Sequence, residues 1–287
     1  MKFKLYDDIK AFHGDIFEML MEHEAQNLII LGNLIMGFEG KDTFGWRDTA
    51  KWVMGAVLDG GGVRLAALMT PPFGMTLYAR DNVVRADELK CLARGLVGAG
   101  IDVPGVMTEK ALALAFADAY CGARGLRHRI SMEQRIYELT KVNPDVPRFG
   151  AFRPGCKEDM SFLPYWLEDF SRIEGGKGLP DEGLEKYLHH IAQGHLYILE
   201  DEGVAVCMAK IIRETVSAAG IAYVYTPPYF RGRGYATSAV AQISQMWLDK
   251  GFARCVLYTD LANPTSNSIY QKIGYVPIAD SLEIKFF

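Results

Sequence analysis

The run Thr226-Pro227-Pro228-Tyr229-Phe230-Arg231-Gly232-Arg233-Gly234-Tyr235-Ala236 carries the clearest chemistry in the sequence. It lies between a segment patterned as a strand, 221–226, and one patterned as a helix, 235–250. Gly232 and Gly234 remove Cβ atoms where a backbone must turn tightly and come close to a ligand. Successive amide N–H groups are then free at the positive end of a helix dipole, and such an end binds phosphate. Arg231 and Arg233 add two planar cationic forks, which suit a pyrophosphate better than a lone carboxylate. A polar turn with two solvated arginines would carry the same letters. The nucleotide-binding folds are disfavoured, because Gly-x-x-x-x-Gly-Lys-Ser/Thr is absent and no third glycine completes Gly-x-Gly-x-x-Gly.

Further along, Asn263-Pro264-Thr265-Ser266-Asn267-Ser268-Ile269-Tyr270-Gln271-Lys272-Ile273-Gly274-Tyr275 reads as a helix with its own punctuation. Asn263 is the N-cap, Pro264 takes the first helical position and Gly274 is the stop. Ile269 and Ile273, four apart, mark a core face, and Tyr270 lies about 100° round from Ile269. At that angle the phenol faces either a ligand or a core contact, where tyrosines are common.

Taken together and in this order, the two segments resemble the signatures of the GNAT-type N-acetyltransferase superfamily. Arg231-x-x-Gly234-x-Ala236 is similar to its acyl-coenzyme-A motif, Gln/Arg-x-x-Gly-x-Gly/Ala, and the run 263–275 is similar to its Asn-led helix that carries a tyrosine and ends in Gly-Phe/Tyr. The resemblance covers residues 148–287 and implies acetyl-CoA as co-substrate, with no metal. It implies that the strand before the turn splays from its neighbour, so that the pantetheine arm adds to an edge lined by Tyr223, Val224, Tyr225 and Thr226. The turn from Arg231 to Ala236, with Gly232, Arg233, Gly234 and Tyr235, would take the pyrophosphate, and Asn263 would contact the pantetheine. Tyr270 would protonate the departing thiolate. The general base in such enzymes is often a carboxylate on the central strands, and Glu214 is the first candidate here, with Asp260 second.

Other chemistries find less support. His23-Glu24-Ala25-Gln26-Asn27 begins like a zinc-protease motif but has Asn where the second ligand must be, and His189, His190 and His195 have no cysteine nearby to complete a site. No Gly-x-Ser-x-Gly elbow is present, and the five cysteines (91, 121, 156, 207, 255) are scattered, as expected of a reduced, cytoplasmic protein. The first residues are too acidic and too short of apolar run for a secretory signal. With 31 basic and 35 acidic residues the net charge is −4, so no global field draws the chain to nucleic acid or membrane. The stretch 28–38 is about half of what a membrane span needs and reads as a buried helix.

At 287 residues, 49% hydrophobic and 23% charged, the chain has the length for two globular domains. The Pro-containing segment 141–148 marks the expected boundary. Before it, two helices within 7–37 precede strands at 52–59, 63–70 and 75–80, a helix at 86–97, a helix at 110–120 and an extended segment at 126–140. After it come helices at 158–171 and 182–192, strands at 195–200, 204–213 and 221–226, the helix 235–250, a strand at 254–259, the helix 264–273 and one or two final strands. Ala236, Val240, Ile243 and Trp247 give the helix 235–250 the best apolar face in the chain. The halves share an element order. The expected fold is therefore α/β, two GNAT-like α/β domains, each a mixed, mainly antiparallel central sheet flanked by helices: a degenerate domain at 1–143 and an acetyl-CoA-binding domain at 148–287. The expected reaction is direct acetyl transfer to a primary amine, on a small molecule or peptide, in a ternary complex and without a covalent enzyme intermediate. A homodimer is compatible with this reading. A non-catalytic acyl-CoA sensor and a tandem-GNAT aminoacyl transferase stand as alternatives.

Overall fold

A computed structural model describes residues 1–40, 48–173, 188, 191 and 194–287. The chain divides into two compact units, Met1–Ile136 with Thr259–Ala262 and Ile278–Phe287, and Tyr137–Tyr258 with Asn263–Pro277. This division differs from a cut at 143/148 in two ways: it falls inside a strand, and the last strand of the chain groups with the first unit.

In the first unit the order is β1 (Lys2–Tyr6), α1 (Ile9–Met21), α2 (Leu28–Phe38), β2 (Val53–Asp59), β3 (Gly62–Met69), β4 (Met75–Ala79), α3 (Ala86–Gly98), β5 (Gly105–Glu109) and α4 (Lys110–Arg124). β1 to β4 form an antiparallel meander, and β5 lies parallel to β4. The strand β6 (His128–Leu139) follows α4. The final strand of the chain, β12 (Val276–Phe286), runs antiparallel to β5, with Leu282 opposite Thr108 and Ile284 opposite Val106. One core lies under α3 and α4, built on Leu92, Leu96 and Phe116, and another lies under α1 and α2, built on Phe12, Ile16 and Leu31. The Asp8 carboxylate caps α1, and Glu109 caps α4 by accepting from the Ala111 and Leu112 amides, so orphan donors are satisfied at both starts. The segment 28–38 is the buried helix its composition predicts, with Leu28, Ile30, Leu31 and Leu34 in the core.

The second unit holds β7 (Ala151–Pro154), α5 (Leu163–Ile173), β8 (Leu196–Asp201), β9 (Val204–Glu214), β10 (Ala218–Tyr225), α6 (Tyr235–Asp249), β11 (Arg254–Asp260) and α7 (Pro264–Ile273). Strands β7 to β10 are antiparallel to their neighbours, and β11 runs parallel to β10. α6 and α7 cover one face of this sheet through Val240, Ile243, Trp247 and Ile273. α5 covers the other through Leu163 and Leu167. The fold is thus the expected mixed α/β class, with mainly antiparallel sheets flanked by helices.

The helix expected at 158–171 begins later. A short 3-10 turn at Lys157–Ser161 precedes α5. Pro164 lacks an N–H and its ring clashes with a carbonyl one turn back, so a regular helix cannot run through it and must start beside it. Most of the helix expected at 182–192, including His189 and His190, lies outside the described residues. Among the described residues no group of His, Cys, Asp and Glu side chains is placed to hold a metal. Among the described residues no helix is long and apolar enough to cross a membrane.

Candidate active site

The turn between β10 and α6 has the conformation that its letters suggest. Gly232 and Gly234 sit at φ +77 and +84, a region costly for residues with a Cβ, and a Cβ at Gly232 would meet open space. α6 begins at Tyr235 behind Gly234, which offers no side chain to cap it, and its first turn carries no acid. The leading amides of α6 are thereby left for a ligand, at the end of the helix where the dipole favours an anion. Arg231 is braced, its Nε donating to the Thr226 carbonyl at 2.9 Å, and the Arg233 guanidinium stands 5.2 Å from the centre of the Tyr229 ring. Tyr235 is turned inward. Its hydroxyl donates to Asp201 at 2.6 Å and the residue is 7% exposed, so its backbone, not its phenol, is what the turn presents. Ala236 follows in the first turn of α6.

β10 is open along one edge. It pairs with β11 only through Ala218, Ala219 and Gly220, opposite Arg254, Cys255 and Val256. Beyond Gly220 the strand keeps its partner β9 but has no ladder to β11, so pairing stops well before Pro227 and Pro228. The register to β9 also jumps between Ala222 and Tyr225. Tyr223 there adopts φ +55, uncommon for a residue with a bulky side chain, and the bulge turns the unpaired backbone of 222–225 out of the regular pleat. The Tyr223 ring stacks on Phe170 of α5 at 5.0 Å, and the Tyr225 hydroxyl donates to Asp169 at 2.9 Å. Burial, then the Asp169 contact, pushes the Tyr225 phenol up to about 12. The Thr226 hydroxyl oxygen is buried at the end of this edge, beside the Cys207 thiol.

The second segment forms α7 as predicted. The Asn263 side chain accepts from the Ser266 amide at 3.1 Å, and Gly274 closes the helix at φ +114. Tyr270 is 8% exposed and its ring lies 6.4 Å from that of Tyr137 and 6.0 Å from that of Tyr275. It is therefore a core residue of the α6/α7 face as well as a member of the motif.

Glu214 is not brought together with these groups. It ends β9 opposite Ala219, at the start of β10, whereas the turn follows the end of β10. Six residues of strand separate the two, roughly 20 Å. Its carboxylate accepts from the Trp247 indole at 2.7 Å, an anchor for α6. Asp260 accepts from the Ala262 amide at 2.8 Å, a local turn contact.

Sequence reasoning missed two cations beside the opening, Lys210 and Arg213 of β9. The only signal was a lysine and an arginine within an otherwise apolar strand run. Lys210 is 5% exposed, its Nζ 5.2 Å from the centre of the Tyr223 ring. Burial, reinforced by the Arg213 charge, pushes its ammonium down to about 7. Burial also lowers Arg213, partly offset by the phenols of Tyr258 and Tyr223. The thiols inside this unit are far from nucleophilic: burial pushes both Cys207 and Cys255 up to about 12.

Residues 161–275 match the family model described as the acetyltransferase (GNAT) family. Among solved structures, the chain is similar to a GNAT-family acetyltransferase from Colwellia psychrerythraea at 12% identity and TM-score 0.57, covering 100% of this chain and 99% of that one. A Drosophila protein aligns over 99% of this chain and 98% of its own at 12% identity and TM-score 0.68. A GCN5-related N-acetyltransferase from Sphaerobacter thermophilus aligns at 16% identity and TM-score 0.60, over 99% and 95%. At these identities the likeness is one of fold, and it extends over both halves. No curated protein matches the chain in sequence.

Proposed function

We propose, from the GNAT acetyltransferase domain at residues 161–275, that the second unit moves an acetyl group from acetyl-CoA to an amine by direct transfer in a ternary complex. The observation that carries this reading is the combination, within one unit, of an uncapped helix start behind two positive-φ glycines with a strand edge that opens directly before it. Either feature alone has structural uses; together they offer a seat for a pyrophosphate and a backbone edge for an amide-bearing arm.

Acetyl-CoA supplies the acetyl group already activated as a thioester. The α6 amides with Arg231 and Arg233 would hold the pyrophosphate, and the unpaired edge of Tyr223, Val224 and Tyr225, with the Thr226 hydroxyl, would align the pantetheine. Tyr270 would deliver a proton to the sulfur, and Asn263 would fix the start of the helix that carries it. No nucleophile of the chain is needed for this route, in keeping with the inert thiols of Cys207 and Cys255. Glu214 is given no role in it, because its carboxylate is held by the Trp247 indole on the α6 face. The test is release of free thiol from acetyl-CoA across an amine library: amine-dependent release by the parent chain supports transfer, and tight acetyl-CoA binding with no release for any amine favours the sensor reading.

A further inference from the structure

Arg213 occupies an unusual place. It pairs in register with Gly220, the last residue of β10 that still pairs with β11. Because Gly220 has no side chain, the guanidinium can lie over β10 and reach towards β11, and its charge acts on Tyr223 and on Tyr258. The strand faces agree: Ile221 and Leu257 belong to the core under α6 and α7, Gly220 and Tyr258 next to them face the other way, and a bulge after Ile211 brings Arg213 opposite Gly220, so Arg213 and Tyr258 lie on the face with α5. Lys210 shares that face, beside Tyr223 and thus beside Phe170. The Arg213 Nε is buried and has no hydrogen-bond partner among the described residues. Taking a guanidinium N–H out of water without a partner is costly, so such a donor points to a ligand that completes it. The pyrophosphate cannot be that ligand, since its turn lies six residues further along β10, roughly 20 Å away.

We infer that Arg213, flanked by Lys210, is the specificity residue for the acceptor, and that the acceptor is a small amine bearing a carboxylate. This rests on the acetyl-transfer reading above. A guanidinium presents two parallel N–H groups that match the two oxygens of a carboxylate, whereas an ammonium would bind as a point charge. The Phe170 and Tyr223 rings offer apolar surface beside the pair. The Arg213 charge next to the acceptor, joined by that of Lys210 whenever it is protonated, also disfavours an ammonium and keeps the attacking amine in its neutral, nucleophilic form.

The test uses product analogues in matched pairs, N-acetylglycine, N-acetyl-β-alanine and N-acetylphenylalanine against their carboxamides, titrated into the full chain saturated with coenzyme A. At least one acid should bind about tenfold or more tighter than its amide. Arg213→Gln should erase the difference and Arg213→Lys should keep part of it, with coenzyme A affinity unchanged in both. Equal binding of acid and amide in every pair, or a preference that survives Arg213→Gln, would each overturn the assignment. If the parent does not bind coenzyme A, the acetyl-transfer reading fails by itself. The pairs are then compared without coenzyme A, where an Arg213-dependent preference for the acid would still uphold the carboxylate site.

Discussion

The first unit contains the same strand-turn-helix as the second, but the features proposed to serve a ligand in the second are altered in the first. After β10 the turn holds two glycines; after β4 it holds Asp81 and Asn82, both at positive φ, and Asn82 is tied to Gln26 by side-chain hydrogen bonds. The first turn of α6 has no acid, whereas that of α3 carries Asp87 and Glu88. Glu88 is 3% exposed and paired with Arg64 at 3.1 Å and Arg85 at 3.5 Å, so a carboxylate of the protein already sits at the helix start that an anion would need. The β10–β11 ladder stops at Gly220 and the β4–β5 ladder is shorter still, at Met75 and Val106, but there the Thr108 hydroxyl donates to the Leu77 carbonyl at 2.6 Å and bridges the strands. On the proposed function, one topology would serve as a binding cleft in the second unit and as a scaffold in the first, with a few side chains making the difference.

The sharpest way to break this comparison is at Gly234. An aspartate there would carry a Cβ at φ +84 and a negative charge into the cradle, and acetyl-CoA affinity should fall by at least a hundredfold. Because that change can strain the turn, the exposed pair Arg231→Gln with Arg233→Gln serves as a fold-neutral companion. It should weaken binding by more than tenfold with an unchanged melting profile; binding as tight as the parent's in both variants would refute the cradle.

Tyr270→Phe comes next in size. Removing one hydroxyl from a packed ring should leave acetyl-CoA affinity almost unchanged while turnover falls within the ~10²–10⁴-fold range of general acid catalysis. A merely structural phenol would show full turnover with about 1–3 kcal/mol lost from stability.

On the scaffold side, Glu88→Gln should cost about 1–3 kcal/mol in denaturant unfolding, because Arg64 loses the nearer and more buried of its two carboxylate partners, and should create no second acetyl-CoA site. A stoichiometry that rises with this variant would show that the carboxylate alone closes the first unit. Glu214→Gln should be milder still: kcat within about twofold, and about 1 kcal/mol of stability lost as the Trp247 contact weakens.

Lys210 gives a pH-dependent effect. Its ammonium is depressed in the fold to about 7 from 10.5. Between those values the unfolded chain binds the extra proton, so the native state gains stability as pH rises through that window and bears the full cost below it. Comparing urea midpoints from pH 7 to about 9, the parent should gain on Lys210→Met as pH increases. Parallel lines would show that Lys210 titrates normally.

Much of this site was legible because its devices are local. The Arg-Gly-Arg-Gly turn declares itself by residue type, and the spacing of Ala236, Val240, Ile243 and Trp247 fixes the helix behind it. Asn263 and Gly274 bound α7 by the rules of capping. What escaped depends on register. Glu214 reads as a strand-end carboxylate near the chemistry until antiparallel pairing sets it opposite Ala219, on the face of the sheet where its carboxylate meets Trp247 of α6. Arg213 matters only because Gly220 lies beside it, and no sequence periodicity reports that pairing. β1 and β7 are short edge strands with few alternating positions, and the return of β12 to β5 is a contact across most of the chain. Such non-local pairings leave little trace in neighbouring residues.

The central claim, that one unit binds and the other supports, is tested most directly by calorimetric titration of the full chain with acetyl-CoA. The account predicts one equivalent per chain, lost together with its heat in the Arg231→Gln, Arg233→Gln variant. Two equivalents per chain, or one that survives in that variant, would contradict it.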